Sequence, residues 1–309
     1  MRFELTPLGT GAALPARGRS PSAQVVNANE DLYLIDCGEG TQERLRMAGF
    51  NFQRIGHLFI SHLHGDHYLG VMGLISTMHL LGRDRELHIH APQELKAIID
   101  IQLQASGTWL RYPLRFHPTR AESGALVWSD AHVQVTALAL KHRLPTTGFL
   151  FRQQPAPRTL RKETVHLIPH FRRSAIKAGE DLVCYDGTVV PNADLTLDPP
   201  LPLSYAYCSD TAYNPDLIPY LDGVDLLYHE ATFTEQLAVR ARETMHSTAR
   251  QAATIAGLAR VGELLLGHFS SRYKDVAGLV SEALTAFPNT RAAEEGRTYT
   301  IQRTIVQKS

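Results

Sequence analysis

Cysteine and long apolar runs are both scarce in this sequence. Three cysteines occur among 309 residues, at Cys37, Cys184 and Cys208, and an odd number at wide spacing is no disulfide framework. We therefore expect a protein of the reducing cytoplasm. No stretch reaches about 18 apolar residues, which excludes a membrane-spanning helix. The first residues lack the basic start, apolar middle and cleavage site of a secretory signal.

Net charge is lacking too, because 31 basic residues balance 31 acidic ones. A chain-wide basic surface for nucleic acid is therefore absent. A hydrophobic content of 44% and a charged content of 20% are ordinary for a globular protein. A chain of 309 residues is long enough for one large domain or two modest ones.

Positive charge is nevertheless concentrated in one proline-rich segment. Between residues 151 and 177, seven basic side chains face one acidic residue, Glu163, so the local formal charge is +6. Seven prolines lie between residues 153 and 202, where periodicity is weak. We interpret residues 152–200 as an inserted basic arm and not as a second folded domain. The basic residues are Arg152, Arg158, Arg161, Lys162, Arg172, Arg173 and Lys177.

Short strand-like runs alternate with helical patterns in the rest of the chain. Val, Ile, Leu and Tyr content with Gly or polar ends predicts strands at Phe3–Leu8, Ala23–Ala28, Leu32–Asp36, His57–Ser61, Leu87–Ala91, Val133–Leu140, Gly148–Arg152, Tyr205–Ser209, Leu226–His229, Leu264–Gly267 and Thr298–Thr304. Apolar spacing predicts helices at Thr41–Ala48, His67–Leu81, Pro92–Ala105, Phe233–Arg242, Ser247–Ala259 and Asp275–Phe287. This alternation predicts sheets covered by helices.

Four metal-type side chains fall within six residues after the apolar run that ends at Ile60. His62 and His64 are two apart, so in an extended segment both point to one side. Gly65 permits a sharp turn, after which Asp66 and His67 open a helix and face the same point. Imidazole and carboxylate groups suit zinc. A polar surface loop is the alternative, but this density of histidine favours a metal site.

One loop cannot complete a site for two metal ions. Three further residues follow apolar strands directly: His142, Asp210 and His268. Each alone is as compatible with a turn or capping role as with metal binding. Together, three metal-type residues at three strand ends favour convergence on the first loop.

The segment from His62 to His67 is the HxHxDH motif, and it resembles the metallo-β-lactamase fold. The resemblance implies an α/β protein, an αβ/βα sandwich formed by one domain over residues 1–309. It also implies two metal ions at one edge. The first would be held by His62, His64 and His142, and the second by Asp66, His67 and His268, with Asp210 as a bridge. Asp36 matches an early aspartate of the fold that orients ligands.

Further motifs resemble one branch of that fold, ribonuclease Z in its short form. They are Leu8–Ala13, Arg17–Ser20, Asp36–Gln42, Tyr207–Thr211, His229–Phe233, His246–Ala249 and Gly267–Tyr273. The resemblance implies a zinc-dependent endoribonuclease that cuts the 3′ trailer from precursor tRNA and leaves a 3′-hydroxyl on the tRNA. It also implies two zinc ions per subunit and a homodimer.

The residues fit that chemistry. Two metal ions neutralise phosphate charge and lower the pKa of a bound water to about 7, so that a metal-bound hydroxide can attack the phosphodiester. Asp66 is expected to orient or deprotonate that water. His246 is expected to protonate the leaving 3′ oxygen, with Glu230 holding its imidazole. The alternative for Glu230 and His246 is a role at the start of the following helix.

Contacts to RNA are predicted less directly. Arg17, Arg19, Ser270 and Arg272 are candidates for phosphate contact near the site, and Arg172, Arg173 and Lys177 are candidates in the arm. Any of these is also compatible with a solvated surface. The family's arm often ends in a Gly-Pro tip that grips the tRNA elbow, and no Gly-Pro occurs between residues 152 and 200.

Two other functions compete with this prediction. The first is a small-molecule hydrolase of the same fold, such as a phosphodiesterase or an arylsulfatase-like enzyme. The second is a non-catalytic scaffold on an inactive hydrolase fold, which predicts the loss of at least one ligand. All seven expected ligands are present, and the basic arm favours RNA.

Overall fold

A computed structural model describes residues 2–303. Two seven-stranded sheets carry most of the chain. The first has the order β18-β1-β2-β3-β4-β5-β6. Its strands are β1 Phe3–Gly9, β2 Ala23–Ala28, β3 Asp31–Ile35, β4 Ile55–Phe59, β5 Leu87–Ala91, β6 Leu114–Pro118 and β18 Tyr299–Thr300. Strands β3 to β6 run parallel, so their carboxyl ends lie at one edge of the sheet.

The second sheet has the order β17-β16-β15-β14-β9-β8-β7. Its strands are β7 Leu126–Ser129, β8 Val133–Leu140, β9 Thr146–Gln153, β14 Ser204–Cys208, β15 Leu226–Glu230, β16 Glu263–Gly267 and β17 Thr290–Ala292. Strands β14 to β17 run parallel to one another. Asp210 and His268 therefore follow the carboxyl ends of parallel strands, as His62 does in the first sheet.

Helices cover the outer face of each sheet. The longer ones are α1 Thr41–Met47, α3 Val71–Leu80, α4 Glu94–Ala105, α8 Ala238–Thr244, α9 Ala249–Leu258 and α10 Ala277–Leu284, and the single turns are α2 Gly65–Tyr68 and α7 Ile218–Leu221. Short 3-10 turns occur at Phe52–Arg54, Pro215–Leu217 and Glu235–Leu237. No helix within residues 2–303 is long and apolar enough to cross a membrane.

Three buried clusters hold these layers together. One lies between the sheets and contains residues of both, such as Phe59, Phe149, Tyr207 and Leu265. The other two join each sheet to its helices, with Leu74 of α3 in one and Ile255 of α9 in the other. The order helix, sheet, sheet, helix is the αβ/βα sandwich that the sequence predicts, and the predicted fold class is confirmed.

Residues 153–202 form a separate compact unit. It contains the strands β10 Thr159–Leu160, β11 Leu182–Val183, β12 Val189–Val190 and β13 Thr196–Leu197, the helices α5 Arg173–Lys177 and α6 Asn192–Leu195, and 3-10 turns at Val165–Leu167 and His170–Arg172. Its interior consists of Ile168, Ile176, Leu182 and Leu195. The segment interpreted from sequence as an arm, residues 152–200, thus includes a small apolar core of its own.

Most predicted elements lie within a few residues of the observed ones, with three differences. The predicted helix His67–Leu81 is two helices, because Gly70 donates its N–H to the Cys37 carbonyl and leaves no room for a side chain beside Gly38. The predicted helix Phe233–Arg242 begins as a 3-10 turn at Glu235. Strands β6, β7 and β17, the helix α7 and the short strands and helices of residues 153–202 are absent from the prediction. Of the predicted strand Thr298–Thr304, Thr304 lies outside the described residues.

Candidate metal centre

Five of the seven predicted ligands project from strand-end loops, and the other two, Asp66 and His67, lie on the short helix α2. β4 ends at Phe59, and the chain stays irregular until α2 starts at Gly65. The side chains of His62 and His67 are completely buried, and those of His268 and Asp210 are nearly so. Five of the ligands line one cleft of about 600 Å³, which we call the metal cleft: His64, Asp66, His142, Asp210 and His268.

The first donor group consists of His62, His64, His142 and Asp210. His64 Nδ1 lies 2.9 Å from His62 Nε2 and 3.2 Å from His142 Nε2. Asp210 Oδ2 lies 3.7 Å from His62 Nε2 and 3.6 Å from His142 Nε2. These four atoms surround a single point.

The second donor group consists of Asp66, His67 and His268, with the other oxygen of Asp210. Asp66 Oδ2 lies 3.4 Å from both His67 Nε2 and His268 Nε2. Asp210 Oδ1 lies 3.2 Å from His67 Nε2 and 3.1 Å from His268 Nε2. Asp210 thus offers one oxygen to each group.

These spacings fit metal coordination better than direct hydrogen bonding. Two ligands of one tetrahedral zinc ion, each about 2.0–2.2 Å from the metal, lie about 3.3–3.6 Å apart. The donor pairs at 2.9–3.7 Å scatter around that value. His67 Nε2 is buried without a well-formed hydrogen bond, although two carboxylate oxygens face it. A cation between these atoms would satisfy all of them.

In four of the histidines, the ring nitrogen Nδ1, which faces away from the cluster, is hydrogen-bonded to another group. His67 Nδ1 donates to Asp36 Oδ2 at 2.7 Å, and His142 Nδ1 donates to the Met245 carbonyl at 2.9 Å. Hydroxyl oxygens of Ser61 and Thr232 accept from His62 Nδ1 and His268 Nδ1, both at 3.0 Å. Each arrangement leaves the Nε2 lone pair directed at the cluster, which is how protein scaffolds orient metal-binding imidazoles.

Asp36 anchors this support. Its carboxylate accepts four hydrogen bonds, from Ser61 N, Ser61 Oγ, His67 Nδ1 and Tyr207 OH, at 2.6–2.9 Å. The side chain is fully buried, and its backbone has a positive φ of 54°. Asp36 therefore contacts the ligand His67 and ties β3 to β14 of the opposite sheet.

The charges of the cluster are mutually stabilising. Burial alone would raise the pKa of Asp210, but His268 and His67 hold it well below its usual range. Burial, together with the neighbouring His67, lowers the pKa of His62 to about 2, so this ring is neutral and its lone pair is available. The Asp210 carboxylate is ionised and the His62 imidazole is unprotonated, which are the forms that bind metal. Burial lowers the pKa of His67, but Asp210, Asp66 and Asp36 raise it well above its usual range, so this ring loses a proton when a metal ion binds.

Glu230 and His246 form a buried pair beside the donors. His246 Nδ1 lies 2.9 Å from Glu230 Oε1, and Glu230 is fully buried. The ring of His246 lies 5.4 Å from that of His268 and 5.0 Å from that of His142. Burial lowers and the Glu230 carboxylate raises the pKa of His246, and the balance raises it to about 9. His246 thus carries a proton at neutral pH at the wall of the metal cleft.

The sequence left open that Glu230 and His246 cap the start of the following helix, but another residue has that role. Thr248 caps α9, since its hydroxyl accepts from Gln251 N and the Gln251 side chain accepts from Thr248 N. Glu230 instead accepts from Thr211 N, Thr232 Oγ1 and Ser247 N. Glu230 therefore fixes His246 together with the loop that follows Asp210.

Two loops carry the arginines predicted near the site. Arg19 donates to the carbonyls of Ser270 and Tyr273, and Arg17 donates to the Ser271 carbonyl. Arg272 lies over the ring of Phe233 and lines the metal cleft, as does Ser270. Arg17 and Arg19 thus join the two loops, while Arg272 and Ser270 face the space beside the donors. Arg172, Arg173 and Lys177 belong to the separate unit of residues 153–202.

Sequence reasoning missed several residues that hold the cluster in place. Glu295 accepts from Thr10 N, Thr10 Oγ1 and Ser20 N, and it pairs with Arg44 at 3.0 Å. It thereby closes the loop in which Ala13 N donates to Asp66 at 2.7 Å. Tyr207, Ser61 and Thr232 were also missed. Ser61 adjoins a ligand in sequence, but nothing local indicates the role of Glu295.

Comparison with known proteins gives extensive similarities. Residues 3–108 match the family model of the anti-Pycsar protein Apyc1. The chain is 46% identical over 296 residues to Ribonuclease Z of Bacteroides fragilis, covering 95% of this chain and 97% of the relative. It is 44% identical over 295 residues to Ribonuclease Z of Porphyromonas gingivalis, again covering 95% and 97%.

Solved structures of similar proteins cover almost the whole chain. The short form of human tRNase Z matches with a TM-score of 0.69 and 28% identity, covering 97% of this chain and 99% of that one. The metallo-beta-lactamase fold protein YhfI of Bacillus subtilis matches with a TM-score of 0.68 and 18% identity, covering 96% and 98%. The second similarity concerns the fold alone.

Proposed function

The chain belongs to the ribonuclease Z family of tRNA 3′-processing endoribonucleases, and we propose that it cuts precursor tRNA with two zinc ions held by the seven strand-end ligands. The strand-end cluster is a divalent-metal site of this fold. The observation that carries the proposal is the placement of Asp210, whose two oxygens face two separate groups of donors.

The donor chemistry favours zinc. In this assignment His62, His64 and His142 would hold one ion, Asp66, His67 and His268 would hold the other, and Asp210 would contribute one oxygen to each. Five imidazoles and two carboxylates are ligands that zinc prefers, whereas magnesium and calcium prefer oxygen alone. When bound, the two ions supply an ionised water and neutralise the negative charge of a phosphodiester.

Asp66 and His246 have separate tasks in our proposal. Asp66 is held by Ala13 N–H and offers its carboxylate at the floor of the cleft, where it orients the attacking water. His246, protonated because Glu230 faces it, donates its proton to the leaving 3′ oxygen of the tRNA. Glu230 then stabilises the proton that His246 regains from solvent, and the enzyme returns to its starting form.

Binding of RNA requires positive charge around this centre. Arg272 and Ser270 face the metal cleft and are proposed to contact phosphates beside the scissile bond. Arg17 and Arg19 are proposed to add positive potential while they position the loop of residues 270–273. In the inserted arm, Arg172, Arg173 and Lys177 are proposed to bind the phosphate backbone of the tRNA.

We also propose that the protein is a homodimer in the cytoplasm. Large apolar side chains are exposed on the outer helices of the first sheet, among them Met47, Leu80 and Ile101, as expected for a surface that another subunit covers. Cys37, Cys184 and Cys208 are all free thiols, the state that a reducing compartment maintains.

A labelled precursor tRNA tests the function directly. The purified protein should release the 3′ trailer as one fragment with a 5′-phosphate and leave a tRNA with a 3′-hydroxyl. A chelator should stop the reaction, and added zinc should restore it. Cleavage that survives removal of all metal, or a zinc-loaded protein that leaves precursor tRNA intact while it hydrolyses a small diester, would contradict the proposal.

A further inference from the structure

The loop of residues 10–20 forms part of the wall of the metal cleft, and we call it the wall loop. Three of its residues line the cleft. One of them, Ala13, donates its N–H to Asp66 Oδ2 at 2.7 Å. The same oxygen lies 3.4 Å from both His67 Nε2 and His268 Nε2. The wall loop therefore fixes the position of the oxygen that Asp66 offers to the second donor group.

The wall loop also holds the backbone beside another ligand of that group. Ala12 N–H donates to the Phe269 carbonyl at 3.1 Å, and Phe269 N–H donates to the Thr10 carbonyl at 2.8 Å. Phe269 directly follows His268, whose own backbone has a positive φ of 55°, a conformation that persists where neighbouring contacts hold it. The wall loop thus supports Asp66 and His268 together.

This support is confined to one side of the metal centre. Within residues 2–303, no hydrogen bond joins the wall loop to the histidines of the first donor group, which are His62, His64 and His142. A change in the wall loop should therefore reach the second donor group and leave the first one intact.

One carboxylate fastens both ends of the wall loop. Glu295 Oε1 accepts from Thr10 N–H at 3.0 Å, from Thr10 Oγ1 at 3.2 Å and from Ser20 N–H at 2.8 Å. Glu295 Oε2 pairs with Arg44 of α1 at 3.0 Å, and the Glu295 side chain is only 9% exposed. Since water has little access to these hydrogen bonds, they are stronger than the same bonds at an open surface.

The backbone around Glu295 is itself fixed. Ala293 N–H donates to the Leu266 carbonyl of β16 at 2.8 Å, and Gly296 N–H donates to the Pro7 carbonyl of β1 at 2.7 Å. The carboxylate therefore projects from a segment that is tied to both sheets. Both ends of the wall loop are attached to this one fixed point.

We propose that Glu295 is a positioning residue for the second metal ion. It closes the wall loop, and the closed loop presents Ala13 N–H to Asp66 and holds Phe269 beside His268. The inference rests on the proposed two-zinc centre and does not depend on RNA as the substrate. It predicts that loss of Glu295 weakens the binding of one zinc ion and spares the other.

A zinc titration tests this asymmetry. Glu295→Ala should bind one zinc ion as the wild type does and the other about tenfold more weakly, at the lower end of the range of about 10- to 100-fold for groups that orient ligands. Titration of the metal-free protein against a competing chelator resolves the two steps. The weakened step should persist in a His64→Ala background, where only the second donor group keeps all its donors.

Glu294→Gln is the matched control. Glu294 is the adjacent glutamate, but it is exposed and pairs with Arg297 at the surface. Its substitution should leave both zinc-binding steps unchanged.

Two further measurements separate positioning from general stability. Glu295→Gln keeps one oxygen for Thr10 and Ser20 but loses the ion pair with Arg44, so it should lose less zinc affinity than Glu295→Ala, in the same step. In the metal-free protein, hydrogen exchange should be faster in Glu295→Ala for peptides from residues 10–20, and unchanged for peptides from β4.

Several outcomes would overturn the inference. An equal weakening of both zinc-binding steps, or faster exchange throughout the first sheet, would assign Glu295 to general stability. Unchanged zinc binding in spite of faster exchange in the wall loop would show that Asp66 needs no support from Ala13. If Glu295→Ala does not fold, a loss in both steps for Glu295→Gln would equally contradict the proposal. A wild-type protein that binds fewer than two zinc ions would contradict the proposed function itself, which is a separate result.

Discussion

Histidine gathers at two places in this protein, and the surroundings of the two clusters differ. The metal centre collects His62, His64, His67, His142 and His268 at strand ends, where Asp66 and Asp210 lie among them. The second cluster is a stack of His57, His88, His90 and His117 within β4, β5 and β6, and we call it the histidine stack. Its rings lie 4.7–5.6 Å apart between centroids, nearly parallel, beside Trp128 and Phe59.

The difference between the clusters shows what makes histidine a ligand. In the metal centre the rings are inclined, so that their nitrogens converge on carboxylate oxygens. In the stack the rings lie face to face and pair with one another, His57 Nδ1 with His90 Nε2 at 3.3 Å and His88 Nδ1 with His117 Nε2 at 2.9 Å. Among residues 2–303, every group of three or more donors suited to one ion lies at the metal centre. The stack is part of the core between the sheets.

Removal of the bridging carboxylate should have the largest effect. Asp210→Ala is expected to abolish cleavage of precursor tRNA and to lower zinc content, because this side chain faces both donor groups and its loss leaves each incomplete. Tritium-labelled or fluorescent precursor and metal analysis of the purified protein measure the two effects. Asp216→Ala is the control, since Asp216 is an exposed surface partner of Lys141. Near-normal activity of the Asp210 variant would refute the bridging assignment.

Loss of the proposed proton donor, His246, should have the second-largest effect on activity. His246→Ala is expected to keep two zinc ions and to lose about 10²- to 10⁴-fold in kcat, the range of a single acid–base group. In the wild-type enzyme the raised pKa of His246 keeps the ring protonated at neutral pH, and kcat should fall as pH rises through about 9. A variant that loses zinc instead would identify His246 as a ligand.

Weakening the hydrogen bonds that orient the ligand His67 should reduce zinc affinity and activity less than the two changes above. Asp36→Asn keeps the size of the side chain and tolerates the positive φ, but one oxygen cannot accept four hydrogen bonds. Loss of such a partner of a metal-binding histidine typically costs 10- to 100-fold in metal affinity or activity. Zinc titration against a competing chelator measures it. Tyr207→Phe removes one of the four hydrogen-bond donors to Asp36 and should lower zinc affinity less. An Asp36→Asn protein that is less stable but binds zinc normally would contradict a role of Asp36 in orienting His67.

The same contrast explains how much the sequence could predict. The loop from His62 to His67 can be recognised as a metal site because its donors are close in the chain. His142, Asp210 and His268 could be added because each directly follows an apolar strand. The family was predicted from the resemblance of several motifs, and the sandwich fold is what that resemblance implies; both are confirmed.

Other features depend on tertiary neighbours that leave no local pattern. Asp36 was anticipated only by resemblance, and its partner Tyr207 lies 171 residues away. Glu295 lies 275 residues from Ser20, which it binds. Strands β6 and β7 are sheet edges with few buried residues, so their hydrophobic pattern is weak, and pairing with β5 and β8 decides their conformation.

The smallest expected effect concerns the histidine stack and leaves catalysis unchanged. Burial, and then the neighbouring His57, lowers the pKa of His90 to about 2, while Asp130 and Glu86 are the nearest carboxylates that act on the stack. His90 is neutral in the folded protein but gains a proton in the unfolded chain below about pH 6.5, so stability falls as pH drops through that value. His90→Leu removes this proton uptake. Between pH 7.5 and 5.5 the variant should lose about 1 kcal/mol less unfolding free energy than the wild type, measured by urea denaturation, with normal cleavage at pH 7.5. His166→Leu, in an exposed position of the arm, is the control.

An identical dependence of unfolding free energy on pH in the His90 variant and the wild type would mean that the stack already carries charge. A drop in zinc content would mean that the two histidine clusters are not independent.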